Sequence, residues 1–305
     1  MQFQQTIKQK VVCTGIGIHS GRPARVVINP APANSGLTFV RTDLPGRPII
    51  PARSSRVVDS SMATTLGIKD AYVSTVEHLL AALAGLGIDN ARIEVAGPEV
   101  PIVDGSAAPF VSWLKQAGIK VLRWPRASFH IQKPLEVVQG DKWIRVEPAS
   151  QPRVTYAIDF PHPCIGRQQY AYQVQLNSFA RQIAPARTFG FLRDVQRLQD
   201  NGLALGGSLD NAIVLDDHGV LNPDGLRFAD EFVRHKILDL IGDLALLGWP
   251  VLGHIRVFKG SHALHQQFMQ ALLEQQQTWR LSIPEIQPTW RPYQQLPRRV
   301  RIAMA

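Results

Sequence analysis

His235 and Asp239 lie four residues apart in the run Arg234-His235-Lys236-Ile237-Leu238-Asp239-Leu240-Ile241-Gly242-Asp243. On a helix this spacing sets an imidazole and a carboxylate one turn apart on one face, with Asp243 a further turn along. Ile237, Leu238, Leu240 and Ile241 supply the apolar packing that would fix such a helix. Burying a His and an Asp among those side chains is costly unless something binds them. A divalent metal satisfies both, since each is a zinc ligand. A buried His–Asp hydrogen bond stitching two helices together is the plainer alternative.

A second charged pair, Glu77-His78, opens the helical run that ends near Gly85. The residue four after His78 is Ala82, so this is not the zincin pattern and a further ligand must come from elsewhere. His78, His235 and Asp239 together make a His2Asp set with a fourth position open to water, the form of a catalytic zinc site. Glu77, beside a ligand without being one, is placed to act as a base. The competing reading is a surface His next to a Glu favoured by the helix macrodipole. His262 follows Lys259-Gly260-Ser261. Paired with Asp243 it would favour the imidazolium form and serve as a general acid; otherwise it is a solvated helix-start residue. His254, in a strand, and His265, beside glutamines, are set aside. Ala186-Arg187-Thr188-Phe189-Gly190-Phe191 puts a hydroxyl between a cation and two aromatics. It either hydrogen-bonds a carbonyl and walls a pocket or is a plain turn with its aromatics in the core.

These residues need elements to hold them. Alternation predicts strands at 24–29, 91–95, 143–146, 154–160 and 254–258. Helices are expected from Ser74 or Thr75, as cap, to Gly85 or Gly87, and from Ala108 to about Ala117 with Pro109 in its first turn. Further helices are expected at 193–201, 234–248 and 262–277, the last with Leu264, Phe268, Leu272 and Ala271 inward. Asn29 to Gly36 is a turn-rich break, and Gly206-Gly207-Ser208 reads as a mobile turn. Gly15-Ile16-Gly17-Ile18-His19-Ser20 has Ser20 where a dinucleotide loop needs its third glycine, so that reading is rejected. The pattern restarts after Arg123-Trp124-Pro125-Arg126. The expectation is an α+β fold: two similar two-layer sandwich domains, 1–124 and 125–305, meeting across a cleft.

The chain has 305 residues, 45% hydrophobic and 19% charged, which accommodates two domains with real cores. Two cysteines, Cys13 and Cys164, are too few for a disulfide framework and point to a reducing compartment. The start lacks the charged and apolar regions of a signal peptide. The longest apolar region, 237–253, carries Asp239 and Asp243 and is too short to span a bilayer. The formal net charge is +9, with basic residues scattered except for Arg298-Arg299-Val300-Arg301. No basic–aromatic interleaving suggests nucleic acid, and an anionic ligand is the sharper expectation.

Five motifs in order carry a resemblance over nearly the whole chain: Ser74-Thr75-Val76-Glu77-His78-Leu79, Val103-Asp104-Gly105-Ser106-Ala107-Ala108-Pro109-Phe110, Ala186 to Phe191, Phe232 to Asp239, and Gly260-Ser261-His262-Ala263-Leu264. Together they closely resemble the UDP-3-O-acyl-N-acetylglucosamine deacetylases of lipid A synthesis. The resemblance implies two α+β sandwich domains, each with an insert, and a zinc site at their interface, with iron as the alternative metal in the cell. It implies His78, His235 and Asp239 as metal ligands, Glu77 as general base, and His262 as the residue that protonates the leaving amine or stabilises charge. Asp243 would orient His262, Thr188 would hydrogen-bond the acetyl carbonyl, and Lys236 would be a charged neighbour. Phe189 would pack on the sugar, Phe160 and Lys259 would meet the uracil and diphosphate, and Ile18 and Phe191 would wall the acyl passage. Two departures stand out: Ser60-Ser61-Met62-Ala63-Thr64 lacks the Cys the family often has, and Gly-Ser precedes His262 where Ser-Gly is expected.

The reaction so implied is hydrolysis of the acetamide to acetate and a free sugar amine by a cytoplasmic enzyme. With its basic surface and acylated substrate, it would make transient contact with the inner-membrane surface. A regulatory protease acting on Arg301-Ile302-Ala303-Met304-Ala305 is a further expected partner. The alternatives are a metal-dependent hydrolase of another nucleotide sugar and a basic RNA-binding protein.

Overall fold

The computed structural model describes residues 3–284. The Arg298–Arg301 run and the tail at 301–305 lie outside the described residues. In the first half, the strands are β1 (Phe3–Ile7), β2 (Val11–Ile16), β3 (Pro23–Pro30), β4 (Leu37–Arg41), β5 (Ile49–Pro51), β6 (Val57–Asp59), β7 (Thr65–Ile68) and β8 (Ala71–Val73). Helix α1 (Glu77–Gly85), β9 (Ala91–Ala96), α2 (Ala108–Gln116) and β10 (Ile119–Pro125) follow. The second half continues with β11 (Ser128–Ile131), β12 (Leu135–Gln139), β13 (Lys142–Glu147), β14 (Arg153–Phe160), β15 (Gly166–Gln173) and α3 (Leu176–Gln182). It is completed by β16 (Phe189–Phe191), α4 (Leu192–Asp200), β17 (Ile213–Leu215), α5 (Glu231–Leu244), β18 (Val251–Leu252), β19 (His254–Phe258), α6 (His262–Glu274) and β20 (Trp279–Ser282).

Two five-stranded sheets carry the architecture, ordered β2-β3-β9-β4-β5 and β12-β13-β19-β14-β15. In each, the strand latest in sequence enters the middle. β9 runs antiparallel to β3 and parallel to β4; β19 runs antiparallel to β13 and parallel to β14. The fold is therefore α+β with one strand order used twice, although the sequence shows no repeat. Period-2 patterning explains the inward faces. Val26 faces Val95 and Ile28 faces Ile93 in one sheet, and Ile144 faces Val257 and Val146 faces Ile255 in the other, all buried. Each half carries an insert: the β6-β7-β8 sheet before α1, and the parallel pair β16-β17 bridged by α4.

The buried apolar residues of both halves form one continuous core, with α1 and α5 packed against each other. Contact is closest at Gly242, where a Cβ would lie 2.1 Å from the Glu77 carbonyl oxygen. Only glycine lets the start of α1 rest on α5 between Asp239 and Asp243. α6 packs on β12 and β13, and α5 on β14 and β15. Among the described residues no helix is long and apolar enough to cross a membrane.

Several expectations shift. Neither Ser74 nor Thr75 caps α1; Val76 occupies the cap position without a side-chain bond. Thr75 sits at φ +55° and its hydroxyl donates to Glu99 at 2.9 Å, so it is already engaged. β10 runs through Arg123–Pro125, paired with β1, and only Arg126 and Ala127 separate it from β11. The Gly206 turn is held rather than loose, since Leu205 N–H donates to His19 O at 3.1 Å and Gly206 N–H to Ile18 O at 3.0 Å. The last helix ends at Glu274, three residues early, and passes into a short 3-10 turn at 276–278.

Candidate metal centre and its acid–base neighbours

The first turn of α1 and the middle of α5 bring His78, His235 and Asp239 to one buried point, their ligand-type atoms all within 4.8 Å of one another. The imidazoles stand edge to face, centroids 5.1 Å apart. His235 Nδ1 donates to Ala186 O at 3.1 Å, which leaves the Nε2 lone pair facing Asp239 Oδ1 at 3.3 Å. His78 Nε2 lies 3.7 Å from the same oxygen, and its buried Nδ1 has no hydrogen-bond partner among the described residues. Burial pushes His78 down to about 3, with His235 adding to the fall, and burial also lowers His235. Both rings are therefore neutral. For Asp239, burial acts to raise the pKa, but positive charge about it, that of Lys236 and His262 included, outweighs it and holds the carboxyl well below its usual range. An imidazole nitrogen without a proton facing a buried carboxylate at 3.3 Å, as His235 Nε2 faces Asp239, repels it unless a cation lies between. This donor set fits a divalent metal.

Lys236 Nζ donates to Asp239 Oδ2 at 2.9 Å, and Oδ1 is the oxygen turned to His78 and His235. Burial works against the Lys236 charge, but Asp239 raises its pKa and keeps it protonated.

One turn further along α5, Asp243 organises a different set. His262 Nδ1 donates to its Oδ2 at 2.7 Å, and the Thr64 hydroxyl to Oδ1 at 2.6 Å. His265, set aside on sequence grounds for its glutamine neighbours, is fully buried and donates from Nδ1 to the same Oδ2 at 2.8 Å. His262 is the first residue of α6, after the Ser261 cap, where the helix dipole disfavours a cation. Burial also opposes its charge, but Asp243, then Glu77 and Asp239, raise it to about 9. Burial would likewise raise Asp243, yet His262 and His265 bring it to about 2. His262 Nε2 then points back toward Asp239 Oδ2 at 4.0 Å. Glu77 is pushed up to about 7 by burial, and its Oε2 accepts from Thr64 N–H at 3.0 Å.

Phe189 packs edge-on against His235 at 6.3 Å, Phe232 at 5.0 Å and Phe160 at 5.7 Å, while Phe191 lies 6.1 Å from Phe160. Phe160, Phe189 and Phe191 thus form one half-buried cluster beside the imidazoles. Thr188, at the entry to β16, is held through its backbone to Gly105 and Ile213. Ile18 sits on the loop that joins Leu205-Gly206 across the two halves. Lys259 stands apart, paired with Asp141 at 2.9 Å and Asp159 at 3.4 Å. His254 bonds Thr155 at 2.9 Å and takes no part. Sequence reasoning missed Thr64 and His265. Thr64 carries no signal of its own, whereas His265 lies three residues after His262, on the same face of α6.

A two-domain α+β fold that buries two neutral imidazoles and an ionised carboxylate around one point, with a near-neutral carboxyl and an imidazolium alongside, has the features of a metal-dependent hydrolase. Comparison with known proteins narrows the class. Residues 4–274 match the UDP-3-O-acyl N-acetylglycosamine deacetylase family. Proteins named UDP-3-O-acyl-N-acetylglucosamine deacetylase are similar along most of their length. One from Anaeromyxobacter sp. (strain Fw109-5) is 52% identical over 88% of each chain. One from Shewanella sp. (strain W3-18-1) is 50% identical over 92% of this chain and 93% of its own. One from Syntrophotalea carbinolica is 48% identical over 92% and 91%. The chain belongs to this deacetylase family.

Proposed function

We propose that the chain removes the N-acetyl group of UDP-3-O-acyl-N-acetylglucosamine, consuming water and releasing acetate and the free sugar amine, in lipid A synthesis. The observation that carries the reading is the unprotonated His235 Nε2 held 3.3 Å from Asp239 Oδ1, with His78 beside it. His78, His235 and Asp239 hold zinc, with iron the alternative. The cation supplies Lewis acidity, polarising a carbonyl and making water easier to deprotonate.

Glu77 takes the proton of the attacking water; a carboxyl near 7 is matched to that task at neutral pH. Thr188 hydrogen-bonds the acetyl oxygen as charge builds on it. His262, kept protonated by Asp243, delivers a proton to the departing amine nitrogen. Lys236 balances Asp239 and adds positive potential. Phe189 packs on the sugar, Phe160 on uracil, and Ile18 with Phe191 walls the acyl passage; the shared aromatic cluster supports this placing. Lys259 exchanges Asp141 and Asp159 for the diphosphate. The two domains divide at 1–124 and 125–305, in keeping with the repeated strand order.

The enzyme works in the cytoplasm, and its net charge of +9 favours transient contact with the anionic inner membrane. Failure to pellet with anionic liposomes removes that contact. A protease that recognises residues 301–305 limits its lifetime; equal turnover of the full-length chain and one lacking these residues removes that step.

Metal content and acetate release measured on the same samples test the centre. Wild type should carry one tight zinc or iron, and His78→Ala and His235→Ala should lose both metal and activity. Metal that survives both substitutions means other ligands. A substrate lacking the 3-O-acyl chain should be poor; equal turnover would favour a hydrolase of another nucleotide sugar.

A further inference from the structure

We propose that His265 is a positioning residue for the Asp243–His262 pair, and that Gly260 is the gap that admits it. The inference rests on the proposed function for its consequence, though not for its geometry. An ionised carboxylate only accepts, so His265 Nδ1 carries the proton in the 2.8 Å bond to Asp243 Oδ2. His265 Nε2 then accepts from the Tyr156 hydroxyl, 3.4 Å away. Both side chains are fully buried, so solvent cannot replace either partner.

Asp243 Oδ2 thereby receives two imidazole protons, while Oδ1 receives the Thr64 hydroxyl. Three donors, two from α6 and one from the loop before β7, leave the carboxylate no freedom to rotate. Remove His265, and Asp243 can turn about its terminal bond, taking the His262 ring with it. A Cβ at residue 260 would lie 2.4 Å from the Tyr156 hydroxyl oxygen and 3.0 Å from His265 Nε2. The Gly260-Ser261 order before His262 is therefore coupled to the residues behind Asp243: glycine clears the space and Ser261 caps α6, accepting from Leu264 N–H at 3.3 Å.

Two nearly isosteric substitutions test the role. In His265→Asn, Nδ2 takes the place of the imidazole Nδ1 and still donates; His265→Leu keeps similar bulk without a donor. H265N should stay within about 3-fold of wild-type kcat, and H265L should fall about 10- to 100-fold, as for other residues that orient a reactive group through a hydrogen bond. KM and the single metal should be unchanged in both. Equal kcat in the two variants, both normal or both reduced, overturns the proposal. Loss of a second metal equivalent from H265L does the same, by making His265 a ligand. Should the Leu variant fail to fold, Tyr156→Phe serves; it should lower kcat about 2- to 5-fold at constant KM, and an unchanged kcat counts against the proposal. Absence of deacetylation by wild type refutes the functional reading alone. The geometry is then read from the 15N-imidazole spectrum, in which an exchange-protected Nδ1 proton present in wild type must vanish in H265N; its absence from wild type overturns the positioning role.

Discussion

Asp239 and Asp243 sit one turn apart on α5, both buried and both ionised, and each faces two imidazoles. Around Asp243 the nitrogens approach to 2.7 and 2.8 Å with protons directed at the oxygen, so the set is closed by hydrogen bonds. Around Asp239 they stop at 3.3 and 3.7 Å, and His235 turns its proton away, so the set is open to a cation. The residue types are the same. What differs is where the other ring nitrogen finds its partner: Ala186 O takes the His235 proton away from Asp239, whereas the His262 and His265 protons point at Asp243. One helix face thus carries an open donor set and a hydrogen-bonded, protonated one, distinguished by tautomer and by neighbouring backbone.

This contrast can be broken from either side. Replacing His78 or His235 should abolish metal binding and activity together, the largest effect. Next, Glu77→Gln and His262→Ala should each keep the metal and lose about 100- to 10,000-fold in turnover, the range for general acid–base groups. Near-normal turnover in both variants would mean that the Asp243 side plays no chemical part. Thr188→Ala removes the proposed oxyanion donor and should cost about 100- to 1000-fold, read as kcat rather than KM. Thr64→Val strips one donor from Asp243 and should cost about 10-fold, consistent with loss of a hydrogen bond to a charged group; no change in rate would show that Oδ1 needs no partner.

The mildest perturbation is pH, followed by thermal unfolding of the metal-free protein. His262 is raised from 6.5 to about 9 in the folded state, so its contribution is complete below pH 6.5 and is lost as pH rises through about 9. Asp243 is lowered from 3.8 to about 2, so its contribution is complete above 3.8 and is lost as pH falls through about 2. Asp243→Asn should flatten the alkaline loss of stability; an unchanged profile would mean that another group titrates there.

Much of the centre is legible in the chain because helical spacing is local. His235, Asp239 and Asp243 share a face by period alone, and the strands at 254–258 and 91–95 follow from alternation. His78, Glu77, His262 and Thr188 stood out by residue type and spacing with plainer alternatives open, and the matched motifs chose among these readings. Thr64 was noted only for the cysteine absent near it, yet it touches both Glu77 and Asp243, from a loop that nothing local marks as part of the site. His265 was misjudged because its chain neighbours are polar, whereas its spatial neighbours are Tyr156 and Asp243.

The sequence by itself determined which side chains face the same way on each helix, since a period of about 3.6 residues needs no distant partner. It also determined the alternation that builds each sheet face. The tertiary structure decided which helices meet, the entry of β9 and β19 into the middle of their sheets, and the protonation of each imidazole. Those depend on contacts between residues far apart in the chain: Gly242 against Glu77, Ala186 O against His235, and Asp243 against His262 and His265. Burial and partner geometry, which set both packing and pKa, exist only once the two halves have closed on each other.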